Sequence, residues 1–317
     1  MPLIVGSQRL DVTLSALQIM QLHPHLQEGA TALTSQPTQT FGPKGVLYVQ
    51  QRELAAITPN DKFISILGSD DATTCHILVL RHTGSGATCL AHCDGSDTQN
   101  EVAAVLRAVK SLTNNTDEGR LELHIVGGFS DSKQYSQKLS SELLSVFDNV
   151  LDEVHLLTYC VSELNDKEEH GIHYPIIYGI AVNVKTAQIF KATFQDRGPD
   201  EDLRSAYILT GGMMVSIYDS KTEQLSFGPY SWTPFPNIDF WLEQEDELIL
   251  EYFSTSPQAE PPHFVSHFRT TLGFLKANPR PLRSLFPDNK PHVYTMDGDG
   301  LWKRVFSVKM SSDAIPM

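Results

Sequence analysis

Residues 64–95 read ISILGSDDATTCHILVLRHTGSGATCLAHCDG, and the architecture of the chain turns on how they are parsed. The run from Ile64 to Ser69 is apolar with period two and predicts a strand. His76–His82 and Ala87–Cys93 are two more apolar runs, joined by Thr83-Gly84-Ser85-Gly86, and predict a hairpin. Between the first strand and the hairpin lies a Gly/Ser/Asp/Thr-rich loop, Gly68 to Thr74, that ends on Cys75 at the head of a strand. His92 sits on the neighbouring strand. A thiol becomes a strong nucleophile when its pKa is lowered or its proton is removed, and a histidine on an adjacent strand can do both. If the two side chains meet, the chain is a cysteine hydrolase or amidase.

Each residue also has a plainer reading. A buried cysteine is most often a small core residue. Cys75 departs from this because the loop before it is too polar to be buried without purpose, and such a loop can aim backbone N–H groups at an oxyanion. In Cys89-Leu90-Ala91-His92-Cys93, strand alternation puts Leu90 and His92 on one face and both cysteines on the other. That splits a would-be zinc set, so no metal is expected; a purely structural His92 remains the competing reading. His76 should point away from Cys75 and is the weaker base. His23, His25, His170 and His173 lie in polar stretches and look incidental. A third group should orient the catalytic histidine. Ser69 is the nearby hydroxyl, and Asp70, Asp71 and Asp94 are alternatives that spacing does not separate.

The chain has 317 residues, 41% apolar and 20% charged, which describes a soluble globular protein. No apolar run approaches the roughly 18 residues of a membrane span, and the N-terminus lacks the pattern of a secretory signal. Residence in the cytoplasm, and in the nucleus as a second compartment, is expected. Four cysteines are too few and too oddly placed for a disulfide framework, and the sequon Asn114-Asn115-Thr116 is expected to stay unmodified. A formal charge of −14 without a basic stripe excludes nucleic acid as an expected partner. An acidic surface of this kind is usually just a solubility feature; read functionally, it would favour cationic partners, a protonated amino terminus among them.

Around the central stretch, a helix is predicted near residues 12 to 22, and GVLYVQQREL reads as one strand. Residues 98 to 113 predict a helix with Thr98 and Glu101 as a capping box. RLELHIVGGFSD predicts a strand and a Gly-Gly turn, after which Asp131 caps a second helix with Tyr135, Leu139, Leu143, Val146, Phe147 and Val150 on its apolar face. EVHLLTYCVSEL predicts a strand buried on both faces, and residues 164 to 174 an exposed loop. Two hairpins, IIYGIAVNVKTAQIFKATF and MVSIYDSKTEQLSFG, flank an acidic helix near 199 to 210. GPYSWTPFPNIDFWL should pack irregularly, and Pro262 to Ala277 predicts a helix. The lack of a strict βαβ rhythm favours α/β with mixed sheets and helices on one side. The Gly127-Gly128 and Gly211-Gly212 pairs lack phosphate-loop context and read as turns.

The order Ser69, Cys75, then His92 within L-A-H resembles the bacterial chemoreceptor glutamine deamidases over roughly residues 64 to 130. The whole chain resembles the eukaryotic protein N-terminal asparagine amidohydrolase family more closely. LYVQQRELA, SILGSDDATTCHI, VLRHTG, HCDG, VGGFSD, YGIAVNVKTA, FQDRGP, GPYSWTPFP and STSPQAEPPHFV carry that resemblance from about residue 45 to 267; Met1-Pro2 also matches the family's start. It implies an α/β/β layered sandwich, similar to the chemoreceptor and cytotoxic necrotizing factor-type deamidases. A single amidase domain would span 1–285, with its catalytic elements at about 60–130. A C-terminal segment, 286–317, would follow, disordered after about 305. The implied activity is hydrolysis of the side-chain amide of an N-terminal asparagine to aspartate with release of ammonia, feeding the N-degron degradation pathway. Cys75 would attack, His92 would move the proton, Ser69 would orient His92, and no cofactor or metal would be needed. The substrates would be proteins and peptides with a free N-terminal Asn, acted on by a monomer. A buried carboxylate should read the α-ammonium, and Asp71 and Glu163 are the candidates, Glu163 because it ends the strand Val154 to Val161. The alternatives are a thiol hydrolase or deamidase of another amide, or a non-enzymatic scaffold that binds N-degron peptides.

Overall fold

The computed structural model describes residues 3–114 and 118–306. Residues 307–317, expected to be disordered, lie outside the described residues, as do Met1-Pro2 and two residues of the sequon.

An eight-stranded mixed sheet organises the chain. Its order is Val215–Ser216, Glu53–Ile57, Thr88–Cys93, His76–His82, Leu121–Gly127, Val154–Val161, Leu3–Val5 and Gln8–Arg9. The expected hairpin is its centre, His76 pairing with Cys93 and Ile77 with His92. Nearly every position of the two hairpin strands is buried because both faces are covered. Leu78, Leu80, Cys89 and Cys93 face a layer of helices, where Val102, Val105 and Val109 of Thr98–Ser111 meet Leu139, Leu143 and Phe147 of Tyr135–Asp148. Ile77, Val79 and Leu90 face the other way, onto Leu47, Leu67 and Val182. Those residues belong to a second, five-stranded sheet of order Gln39–Phe41, Ile189–Phe194, Ile180–Asn183, Ile66–Ser69 and Val46–Tyr48. Leu225, Phe227 and Tyr294 of a four-stranded sheet join the same core. The molecule is therefore a mixed α/β sandwich of helices, sheet and sheet. A small helical cluster around Ile249, Phe268 and Leu272 stands beside it.

Several elements differ from expectation for identifiable reasons. GVLYVQQREL is two strands in two different sheets, Val46–Tyr48 and Glu53–Ile57, separated by a tight turn in which Arg52 takes a left-handed φ of 56°. The Glu53 carboxylate accepts the Gln50 N–H at 2.8 Å and holds this turn without a glycine. The cap of Thr98–Ser111 is Asp97, which accepts the Asn100 N–H, so Thr98 is the first helical residue and there is no Thr98–Glu101 capping box. The first helix is shorter than expected, Ala16–Leu22, and a second one, Pro24–Thr34, opens on a proline at its first position. Residues 164 to 174 are not a loop. After the 3-10 turn Ser162–Asn165 they form a short hairpin, Asp166–Glu169 with Ile172–Pro175.

Candidate active site

The face of the central sheet that meets the second sheet carries both chemical groups. Ile77 is opposite His92 in the antiparallel ladder. Strand alternation then puts Cys75, two positions before Ile77, on the same face and diagonal to His92, within reach of a side chain the size of imidazole. Ser69, at the end of Ile66–Ser69 in the second sheet, crosses the gap between the layers. Its Oγ lies 2.7 Å from His92 Nδ1, and both residues are buried. The other ring nitrogen, Nε2, is buried and has no hydrogen-bond partner among the described residues. The tautomer that donates Nδ1–H to Ser69 therefore leaves the Nε2 lone pair for a thiol proton. Burial lowers the His92 pKa to about 4. Burial also raises the Cys75 thiol well above its ordinary value, and the charges of Asp94, Glu260 and Glu101 add to this. Both shifts favour a neutral thiol and a neutral imidazole over an ion pair.

The loop before Cys75 is tied down at each residue. Buried Asp70 accepts from Tyr48 Oη at 2.6 Å, from the Phe194 N–H at 3.0 Å and from Thr193 Oγ1 at 3.2 Å. Asp71, at a left-handed φ of 56°, is ion-paired with Arg197 and with His263 Nε2. The Ala72 N–H donates to the Tyr178 carbonyl, and the Cys75 carbonyl accepts from the Gly128 N–H at 2.9 Å. Gly127 has to be a glycine, because a Cβ there would stand 2.4 Å from the Cys75 carbonyl oxygen, and its φ is +140°. Above the loop opens a cavity of about 760 Å³. Cys75, His92, Asp71 and Glu260 line its polar end, and Phe253, Phe264 and Phe268 line an apolar wall. A half-buried thiol with a base behind it, lining a cavity of this size, is suited to acyl transfer from an amide.

The sequence model of a family described as protein N-terminal asparagine amidohydrolase matches residues 36–304. A relative of that name from Sus scrofa is 60% identical over 307 residues, 97% of this chain and 99% of its own length. The Homo sapiens relative is 59% identical over the same coverage. One from Arabidopsis thaliana is 28% identical over 306 residues, 88% of this chain and 87% of its own length. The chain belongs to the protein N-terminal asparagine amidohydrolase family. It is accordingly an amidohydrolase, and the cavity over Cys75 is the candidate active site of that enzyme class.

Within this amidohydrolase the expected site residues separate. Cys75, His92 and Asp71 line the cavity, and Ser69 lies buried behind His92; Glu163 is not among them. Glu163 sits on the turn Ser162–Asn165, where Ser162 takes a left-handed φ of 48° and carries the chain away from the sheet, and the turn packs among the helices. It is absent from the cavity lining, so the structure gives no support to Glu163 as reader of the amine. Of the possible orienters, only Ser69 hydrogen-bonds the imidazole among the described residues. Asp70 serves Tyr48, Asp71 serves Arg197 and His263, and Asp94 serves Arg52 and Gln51. His76 points to the helix layer and bonds Ser140 Oγ at 2.7 Å.

Sequence reasoning missed Arg197, His263 and above all Glu260. Burial and the nearby Asp71 charge raise the Glu260 carboxyl to about 7, against hydrogen bonds from Ser254 and Thr73. No spacing rule ties a single acid in Ala259-Glu260-Pro261-Pro262 to Cys75. Its membership in STSPQAEPPHFV was the only signal.

Proposed function

We propose that this amidohydrolase converts an N-terminal asparagine of peptides and proteins to aspartate, releasing ammonia. The observation that carries the reading is the Ser69–His92 hydrogen bond. It leaves Nε2 unpartnered on the face shared with Cys75, inside a cavity rich in carboxylates. Cys75 Sγ attacks the side-chain amide carbon while His92 Nε2 takes the thiol proton, and backbone N–H groups of the 68 to 75 loop receive the oxyanion. Collapse of the tetrahedral adduct breaks the C–N bond, and His92 returns the proton to the departing nitrogen, which leaves as ammonia. A water then gives its proton to His92 and attacks the thioester. The C–S bond breaks, the carboxylic acid forms, and the thiol recovers its proton.

Restriction to the chain terminus follows from the negative cavity, which favours a substrate bringing its own ammonium and penalises one that leaves a carboxylate unpaired. The aspartate product would pass to arginylation in the N-degron pathway. A monomer working in the cytoplasm or nucleus fits this reading, and among the described residues no helix is long and apolar enough to cross a membrane. Mass spectrometry of Asn-, Gln- and acetyl-Asn-initiated peptides with wild type and Cys75→Ala tests it. Conversion of amide to acid on the Asn peptide alone, lost in the variant, is expected. Turnover surviving in Cys75→Ala would remove the thiol from the mechanism, and equal turnover of the acetylated peptide would remove the amine from the specificity.

A further inference from the structure

We infer that Glu260 is the residue that receives the substrate's α-ammonium and so determines that only a chain terminus is accepted; the inference rests on the function proposed above. The cavity has other carboxylates, but their charges are engaged. Asp71 is held by Arg197 and His263, Asp94 by Arg52, and Asp70 by Tyr48 and the Phe194 amide with Arg197 at 3.5 Å. Glu142 lies beside Lys138. Glu260 instead meets hydroxyls, those of Ser254 and Thr73, and no cation lies within ion-pairing distance of it among the described residues. Hydroxyls orient a carboxyl group without supplying a counter-charge, so Glu260 is the acid in the cavity that lacks a cation and whose ionised form an incoming ammonium would stabilise.

Its placement suits the terminal residue. The chain at 256–259 makes a single 3-10 turn, pinned by Tyr178 Oη on the Ala259 carbonyl at 2.9 Å, and Pro261-Pro262 stiffen the exit. Glu260 is thereby presented beside the Cys75 loop, near enough for its charge to act on the thiol. In asparagine the α-nitrogen is only two carbons from the amide carbon, so a group that holds the ammonium must sit this near the nucleophile. The ionisable groups facing Glu260 are Asp71 and Cys75 of the loop, Tyr178 and His263. An ammonium seated among them cancels the negative charge that opposes a thiolate at Cys75. The cognate substrate thus aids the attack as well as its own binding, which an internal asparagine cannot do.

The test is a double-mutant cycle between protein and substrate. kcat/KM is measured for wild type and Glu260→Gln on an Asn-initiated peptide and on the same peptide with a desamino (succinamoyl) first residue. The Asn peptide is expected to lose about tenfold to a hundredfold in the variant, the worth of one charge-assisted hydrogen bond. The desamino peptide should change less than about twofold, since it never offered the charge. Glu260→Asp, which keeps the charge one carbon back, should retain part of the coupling. Equal losses on both peptides, or none on either, would overturn Glu260 as the amine reader while leaving the proposed function standing. A wild type inert on the Asn peptide would overturn both.

Discussion

At the scale of single residues, the proposed mechanism asks a neutral thiol and a neutral imidazole to react with the proton moving as the sulfur attacks, so the direction of His92 Nε2 would matter more than its basicity. Ser69 sets that direction from the opposite sheet. Ser69→Ala should lower kcat by about tenfold to a hundredfold, part of what positioned proton transfer contributes, and leave KM within about twofold. Steady-state kinetics checks this, and wild-type kcat would mean that the packing around the ring suffices. The pH dependence follows from burial. In the proposed mechanism the base must be unprotonated, and burial lowers the His92 pKa to about 4, so kcat should rise through pH about 4. The Glu260 carboxyl, raised to about 7, should add a limb of its own to kcat/KM. A limb at the ordinary histidine value of 6.5 that survives in Glu260→Gln would contradict a buried, neutral ring. Cys75, His92 and Ser69 were legible in the sequence because one polar loop and two adjoining strands hold all three. Glu260 was not, because what makes it special is the absence of a nearby cation, and that is a fact of tertiary packing.

At the scale of elements, the loop from Gly68 to Cys75 is shaped less by its own sequence than by its moorings. Its far end rests on the turn after Leu121–Gly127, where backbone meets backbone at the Cys75 carbonyl. Gly127→Ala should push the Cys75 peptide aside and force an alanine into a glycine conformation. A loss of about a hundredfold in kcat is expected from a displacement of this kind, together with a stability loss of about 1–3 kcal/mol. Activity and urea titrations separate the two, and unchanged kcat would show that the loop tolerates the shift. The hairpin at residues 76–93 was readable because alternation, a Gly-rich turn and apolar faces agree. The division of GVLYVQQREL was not, since a carboxylate on the next strand makes its turn and no punctuating residue announces it. The short hairpin after Asn165 was equally hidden, its polar residues pairing backbone at the surface.

At the scale of the molecule, Arg204 joins the layers. Its guanidinium pairs with both oxygens of Glu53 in the central sheet at 2.9 and 2.7 Å, donates to the Tyr48 carbonyl of the second sheet, and lies over Phe227 of the third. The side chains are 1% and 2% exposed. Glu53→Ala leaves that charge buried without its partner, and a loss of about 3–5 kcal/mol in urea unfolding is expected; a loss below about 1 kcal/mol would mean that the carbonyl acceptors satisfy the cation alone. The layered arrangement could be anticipated from interleaved strands and helices, whereas this joint could not, because its members are scattered over three sheets and a helix. Enclosure between the layers has a further consequence for Cys75. Alkylating agents and peroxides consume thiolates, and a thiol whose ionisation is suppressed reacts with them more slowly. Cys75, though half-buried and open to the cavity, should therefore react slowly with small electrophiles when no substrate is bound.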